Sequence, residues 1–187
     1  MNKIKSVLCA LLWLMLSSGA ECQELSLSTN LASYLNLGTM NFEISGALAR
    51  HWTLYAGVRY NPFSFEKQGG QSVMQNRQRS CDAGARFWPW HVYSGWWMSA
   101  KVGAQEFNAG GIVSEETREG ERYGGGLAGG YTYMLSKHLN FDLGVGLWAG
   151  YERYTVYACP TCGRKLDSGD KTFILPSDVL LSLSYVF

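Results

Sequence analysis

The chain has 187 residues, and its 16 Lys and Arg nearly balance 15 Asp and Glu, for a net charge of +1. With no basic run, that balance argues against a nucleic-acid partner. Charged residues are only 17%, below the roughly 25% of ordinary soluble domains, while aromatics reach 14% and glycines number 22.

The first segment is a secretory signal. Lys3 and Lys5 precede an apolar run from Val7 to Leu16, followed by Ser17, Ser18, Gly19 and Ala20. That run is too short to span a bilayer as a helix, and the small-residue exit suits a signal peptidase. Cleavage after Ala20 fits best and cleavage after Cys22 is the alternative, so residues 1–22 form the leader and 23–187 one domain. Lipidation at Cys22 is disfavoured because Glu21 stands where a small residue is needed.

Beyond the leader no apolar run approaches the ~18 residues of a spanning helix. Short segments alternate instead between apolar and polar residues, with a period of two that marks strands. Eight are expected, at 24–34, 40–49, 52–62, 78–88, 95–106, 122–134, 139–152 and 172–187. The seventh is the clearest: Phe141, Leu143, Val145, Leu147 and Ala149 oppose Asn140, Asp142, Gly144, Gly146 and Trp148. Without spanning helices, a membrane protein must be a closed barrel whose strands satisfy each other's backbone. The expectation is all-β: an eight-stranded antiparallel transmembrane β-barrel, an up-and-down meander preceded by a signal peptide.

The polar faces favour a barrel interior over a solvated sandwich face. They consist of Gly, small residues and single charges whose sign alternates between strands: Glu43, Asp82, Asp142 and Glu152 against Arg59, Arg86, Lys101 and Arg122. Buried charges are tolerated only when paired, so an interior ion-pair network is expected. "GGGLAGG" at 124–130 lacks the Gly-Lys-Ser/Thr ending of a phosphate loop. Its glycines are expected to admit bulky lumen residues such as Trp97, Trp148 or Tyr55.

Connections at 50–51, 89–94 and 135–138 are short. Those at 35–39, 63–77, 107–121 and 153–171 are mostly long and polar, which matches short periplasmic turns and long outer loops. Both termini would then be periplasmic. Aromatics gather near both rims, Trp52, Trp88, Trp90, Trp96, Phe141 and Phe187 at one and Tyr60, Phe107, Tyr123 and Tyr151 at the other, as membrane interfaces favour.

His51, His91 and His138 fall in or beside the short turns, away from an outer rim where a lipid-modifying barrel enzyme would need a base beside a Ser and a carboxylate. They read as interfacial polar residues, and no catalytic, cofactor or metal site is expected. The "CPTCG" loop carries Cys159 and Cys162. A zinc ribbon needs a second ligand pair, and a redox catalyst would place the motif at a helix N-terminus. In an exported chain a local Cys159–Cys162 disulfide or two free thiols remain, with Cys81 on the lipid-facing side of its strand.

The chain ends on "DVLLSLSYVF". Val179, Leu181, Leu183, Tyr185 and Phe187 share one face, a pattern like the C-terminal signal that hands outer-membrane barrels to their assembly machinery.

Taken with "LSTNLASYLNLGTMNFEISGALARHWTLYAGVRYNPF", "CDAGARFWPW" and "RYGGGLAGGYTYMLSKHLNFDLGVGLWAGYERY", that ending resembles the small outer-membrane barrels of Gram-negative bacteria designated domain of unknown function 3575. The likeness covers roughly residues 24–187, including an aromatic-Pro corner at Asn61, Pro62 and Phe63. It implies a structural barrel with no active site to carry over. Some members are encoded beside fimbrillin-type adhesin genes, which implies a link to fimbriae; the cysteine loop is not a usual family feature.

The expected role is therefore structural or surface-binding, adhesin-associated, in the outer membrane, and not a diffusion pore, because eight strands enclose only enough room for side chains. Its partners would be membrane lipid and lipopolysaccharide, the barrel-assembly machinery and fimbrial or other surface proteins. The alternatives are a barrel enzyme acting on lipid A or phospholipid, and a secreted soluble barrel whose apolar faces point inward around a ligand.

Overall fold

Apolar residues at every second position can be separated from polar ones only if the chain is extended, and the described chain is almost entirely strand. The computed structural model describes residues 25–66, 73–110, 116–159 and 163–187, without the side chains of Glu66, Val73, Ser177 and Asp178. The expected leader and Cys162 lie outside the described residues.

The strands are β1 (Leu25–Asn30), β2 (Met40–Ala49), β3 (Trp52–Asn61), β4 (Ser64–Glu66), β5 (Val73–Phe87), β6 (Gly95–Gly110), β7 (Thr117–Met134), β8 (Leu139–Tyr157) and β9 (Lys165–Val186); one short helix, α1 (Leu31–Leu35), follows β1. Strands adjacent in the chain pair antiparallel, except that β3 pairs with β5 and not with β4, and β9 returns to pair with β1. This closes a ring of 8 strands, with β4 outside it on the upper part of β5.

Closure carries the stagger of a tilted barrel. A row starting at Ser28 runs through Glu43, Gly57, Asp82, Gly103, Gly124 and Gly150 to Phe173, whereas the residue of β9 paired with Ser28 is Ser184. That offset is the shear that closing a twisted sheet demands. No helix among the described residues is long and apolar enough to cross a membrane, which does not bear on crossing by strands.

The outer face is apolar over a continuous belt. Phe42, Ile44, Leu54, Val58, Met98, Val102, Leu127, Val145, Leu147 and Val179 are all exposed on it. On β7 the belt runs from Tyr133 to Tyr123, both exposed, a height of about 25 Å for a strand rising about 3.3 Å per residue and tilted about 40°. Just above it, outward positions turn charged across five strands in register: Arg79, Glu106, Glu121, Arg153 and Asp170. Two neighbouring pairs in this row bond, Arg79 to Glu106 at 2.9 Å and Arg153 to Asp170 at 3.3 Å.

Several boundaries differ from the sequence expectation. The first strand stops at Asn30, because the Asn30 side chain accepts from the Ala32 N–H and caps a turn of helix where strand was expected to Tyr34. The expected loops 107–121 and 153–171 are largely strand, forming β6–β7 and β8–β9 ladders out to Gly110–Thr117 and Tyr157–Lys165. Polar and charged residues occur on both faces of these extensions, with only a few apolar ones such as Phe107, Tyr154 and Val156 among them, so they pair without the sustained hydrophobic alternation that reveals strands. Trp88 and Phe107, counted among the rim aromatics, point inward and are buried.

Candidate functional site

The polar faces meet inside the ring and form three layers. The lowest closes the short-turn end. There the 88–94 turn brings Trp88 and Tyr93 against Trp97 and Val186 in the buried core. Tyr93 adopts a left-handed backbone (φ 61) and is held by Asn140, which donates to its carbonyl, and by the Ser45 hydroxyl, which donates to its phenol oxygen. Trp88 donates to Thr53.

Arg86 lies directly above this plug, 7% exposed. It donates to Glu43 at 3.1 Å and stacks over the rings of Trp97 and Tyr55, at 4.6 and 5.0 Å. An ion pair together with aromatic faces is how a barrel of this width accommodates a guanidinium. Glycines make room for the bulky members: a Cβ at Gly144 would sit 2.8 Å from the Trp97 ring.

The top layer is centred on Glu152, 1% exposed. Arg122 donates to it at 2.5 Å, Arg118 approaches to 2.9 Å and Lys171 to 3.6 Å. Arg122 also covers the Phe107 ring at 4.0 Å. From Arg122 a hydrogen-bonded chain runs through Gln105 and Gln78 to the Thr39 hydroxyl, which itself donates to the Asn36 carbonyl.

Between these layers lies a cavity of about 340 Å³. Arg59, Asp82, Lys101 and Trp148 line its barrel side, and Ser33 of α1 faces them from the wall. Arg59 and Asp82 stand 4.0 Å apart. The Trp148 indole N–H is shielded from solvent and has no hydrogen-bond acceptor among the described residues.

Of the eight charges expected in one network, the structure brings three pairs together: Glu43 with Arg86, Arg59 with Asp82, and Arg122 with Glu152. Asp142 is held by hydroxyls instead, those of Thr132 and Ser184. Lys101 lines the cavity. Sequence reasoning missed Arg118 and Lys171. Continuing the β7 alternation from Arg122 would have found Arg118. Lys171 was hidden because β9 shifts register at Gly146/Leu147, which exchanges its inward and outward positions.

Val179, Tyr185 and Phe187 are exposed on the outer face at the end of β9, with Leu181 and Leu183 half-buried between them. The Phe187 N–H donates to the Leu25 carbonyl. Two histidines stitch the short-turn rim through ring nitrogens on carbonyls, His51 on Trp88 and His138 on Val186; His91 is exposed in the 88–94 turn. Cys81 is free and exposed. Cys159 is disulfide-bonded, so its sulfur is unavailable as a thiolate ligand or nucleophile.

A closed antiparallel ring, apolar outside and filled with paired polar groups inside, defines the class: a small up-and-down β-barrel. The chain belongs to the family described as Protein of unknown function (DUF3575), whose model matches residues 7–187. No curated protein and no solved structure matches it.

Proposed function

We propose that this protein is an exported outer-membrane β-barrel, sealed to solutes, that presents its long-loop end as a binding surface for another surface component, with fimbrial adhesins among the candidate partners. The observation that carries this reading is the apolar belt. Within the belt the outward side chains are apolar, large on most strands and small on β5, while the charges at that level face inward, an arrangement that water would penalise and a bilayer rewards. The belt height matches a hydrocarbon core, and tyrosines and a charged row bound it where lipid headgroups would begin.

Sealing follows from the Trp88–Tyr93–Trp97 plug and the charge layers above it, which occupy the lumen that a pore would need. Above the belt the β8–β9 hairpin rises from Arg153 and Asp170 to Tyr157 and Lys165, with the disulfide-bonded Cys159 in the turn beyond. A hairpin stiffened in this way suits recognition by a partner. The apolar-inside soluble barrel has no support in this arrangement.

The test is fractionation with heat-modifiable electrophoresis of the exported protein. The expected result is a band in the outer-membrane fraction whose mobility changes on boiling; folded protein in the aqueous periplasmic fraction would overturn the reading.

A further inference from the structure

The barrel wall has a seam. β1 ends at Asn30 while its neighbour β9 runs on towards Lys165, and β2 begins only at Met40. Asn30 pins both sides: its side chain donates to the Val179 carbonyl and accepts from the Leu181 N–H, while its backbone exchanges bonds with the Asn41 side chain. Above that pin α1 packs against β9. Higher still, no strand among the described residues pairs with β9 on the side away from β8.

The direction of each backbone group on β9 follows from its pairing. Outward residues point away from β8: Val179 and Leu181 bond Asn30, and the Phe187 N–H donates to the Leu25 carbonyl. Inward Val186 points the other way and donates to the His138 carbonyl. Past the register shift the outward positions are Ile174, Thr172, Asp170 and Ser168, opposite Ala149, Tyr151, Arg153 and Thr155. Their N–H and C=O groups therefore face the vacated side, where none of them has a backbone partner among the described residues. All four residues are exposed. Pro176, the next of this set, brings no N–H, so the edge open to pairing runs upward from Ile174. Thr172 lies level with Tyr151 and Asp170 stands in the charged row, so this edge rises from the top of the belt into water. An unpaired edge of this length is a template for another chain.

We propose that the β9 edge from Ser168 to Ile174 takes up an extended polypeptide segment of a surface partner, added as an antiparallel strand above α1. A row of alternating donors and acceptors is matched in register by another backbone. A second copy of this chain does not supply it. Two barrels upright in one membrane are related by an axis along the membrane normal, so their β9 strands, each tilted about 40°, would cross instead of aligning. Antiparallel addition continues the course that β1 leaves at Asn30, which puts the N-terminal end of the segment lowest. Neighbouring side chains set its pattern: β-branched residues beside Ile174 and Thr172, an acid beside the inward Lys171, a base beside the outward Asp170. Lys171 and Asp170 are exposed, and the surface pair that Asp170 forms with Arg153 at 3.3 Å is of a kind that holds weakly. The inference rests on the binding-surface reading above and says what kind of segment that surface takes.

The test uses the full folded barrel in nanodiscs and the end-blocked peptide Val-Thr-Thr-Glu-Lys-Thr-Tyr, which sets its Glu opposite Lys171 and its Lys opposite Asp170. Saturable one-to-one binding is expected, with slowed hydrogen exchange at the Thr172 and Ile174 amides. N-methylation of the third and fifth peptide residues, whose N–H groups face β9, should weaken binding about tenfold, whereas methylation of the fourth and sixth should leave it unchanged. Thr172→Pro removes one edge N–H and no bond to β8, and should weaken binding about tenfold with heat-modifiable mobility kept; if that variant does not fold, the methylated peptides decide alone. No saturable binding, equal binding of the two methylated peptides, or protection confined to amides outside β9 would overturn the edge. If the peptide fails while shortening the β8–β9 hairpin still abolishes capture of a surface partner, the binding-surface reading stands and the edge alone falls.

Discussion

Glu152 shows how much a single side chain carries inside this barrel. Three cations converge on it and almost no water reaches it. Removing one partner of a buried ion pair leaves an uncompensated charge, at a cost of about 3–5 kcal/mol. Glu152→Gln should therefore lower stability by that order in denaturant refolding, whereas Arg122→Gln should cost less, because Arg118 and Lys171 still neutralise the carboxylate. Equal losses would show that the cluster is not centred on Glu152. A second test concerns space. Gly144→Ala places a methyl against Trp97 and should cost about 1–3 kcal/mol, with part of that loss recovered in combination with Trp97→Phe. The alternation in the sequence placed Glu43, Arg59, Asp82, Arg86 and Arg122 on inward faces. It could not reveal which would pair, because partners across a barrel are set by shear and not by spacing along one strand.

At the scale of elements, the sequence displays a strand where one face is apolar throughout and hides it where polar residues mix onto both faces. The belt portions of β2, β3, β5, β6, β7 and β8 were legible for that reason, and the upper halves of β7, β8 and β9 were not. α1 was hidden for a different reason: five residues are too few for a helical period, and only the Asn30 cap betrays it. Asn30 both caps α1 and ties β1 to β9. Asn30→Ala should destabilise the barrel by about 1–2 kcal/mol and raise hydrogen exchange at the Leu181 amide, which loses its acceptor. Protection of Leu181 equal to the wild type would place the seam's strength elsewhere. At the opposite end, deleting Phe187 should reduce assembly in cells while leaving refolding into detergent intact, since its ring meets Tyr185 at 4.9 Å on the outer face and fills nothing inside. Equal losses in both assays would make that residue a packing element and not a signal.

For the molecule as a whole, fold and facing were legible because a period of two across many short segments admits few arrangements, and closure removes the exposed edges that an open sheet would leave. The cavity was not legible, because it arises where one strand falls short of its neighbours. Reconstituted into planar bilayers, the protein should give no steady ionic current. Trp88→Ala together with Trp97→Ala should open measurable conductance if those rings are the seal, and a current from the wild type would refute a closed lumen. Shortening the β8–β9 hairpin by removing residues 155–168 should abolish capture of a surface partner while heat-modifiable folding persists.

That hairpin also has a mechanical consequence. Its two strands continue without a break from the projecting tip into the wall of the ring, and the ladder bonds lie across them. Tension on a captured partner would load the strands along their length, so the bonds holding β8 and β9 to their neighbours would be sheared together rather than peeled one after another. Under such a load the barrel wall would resist as a unit, and its own rupture, as distinct from release of the partner, would follow the slow rate of unfolding.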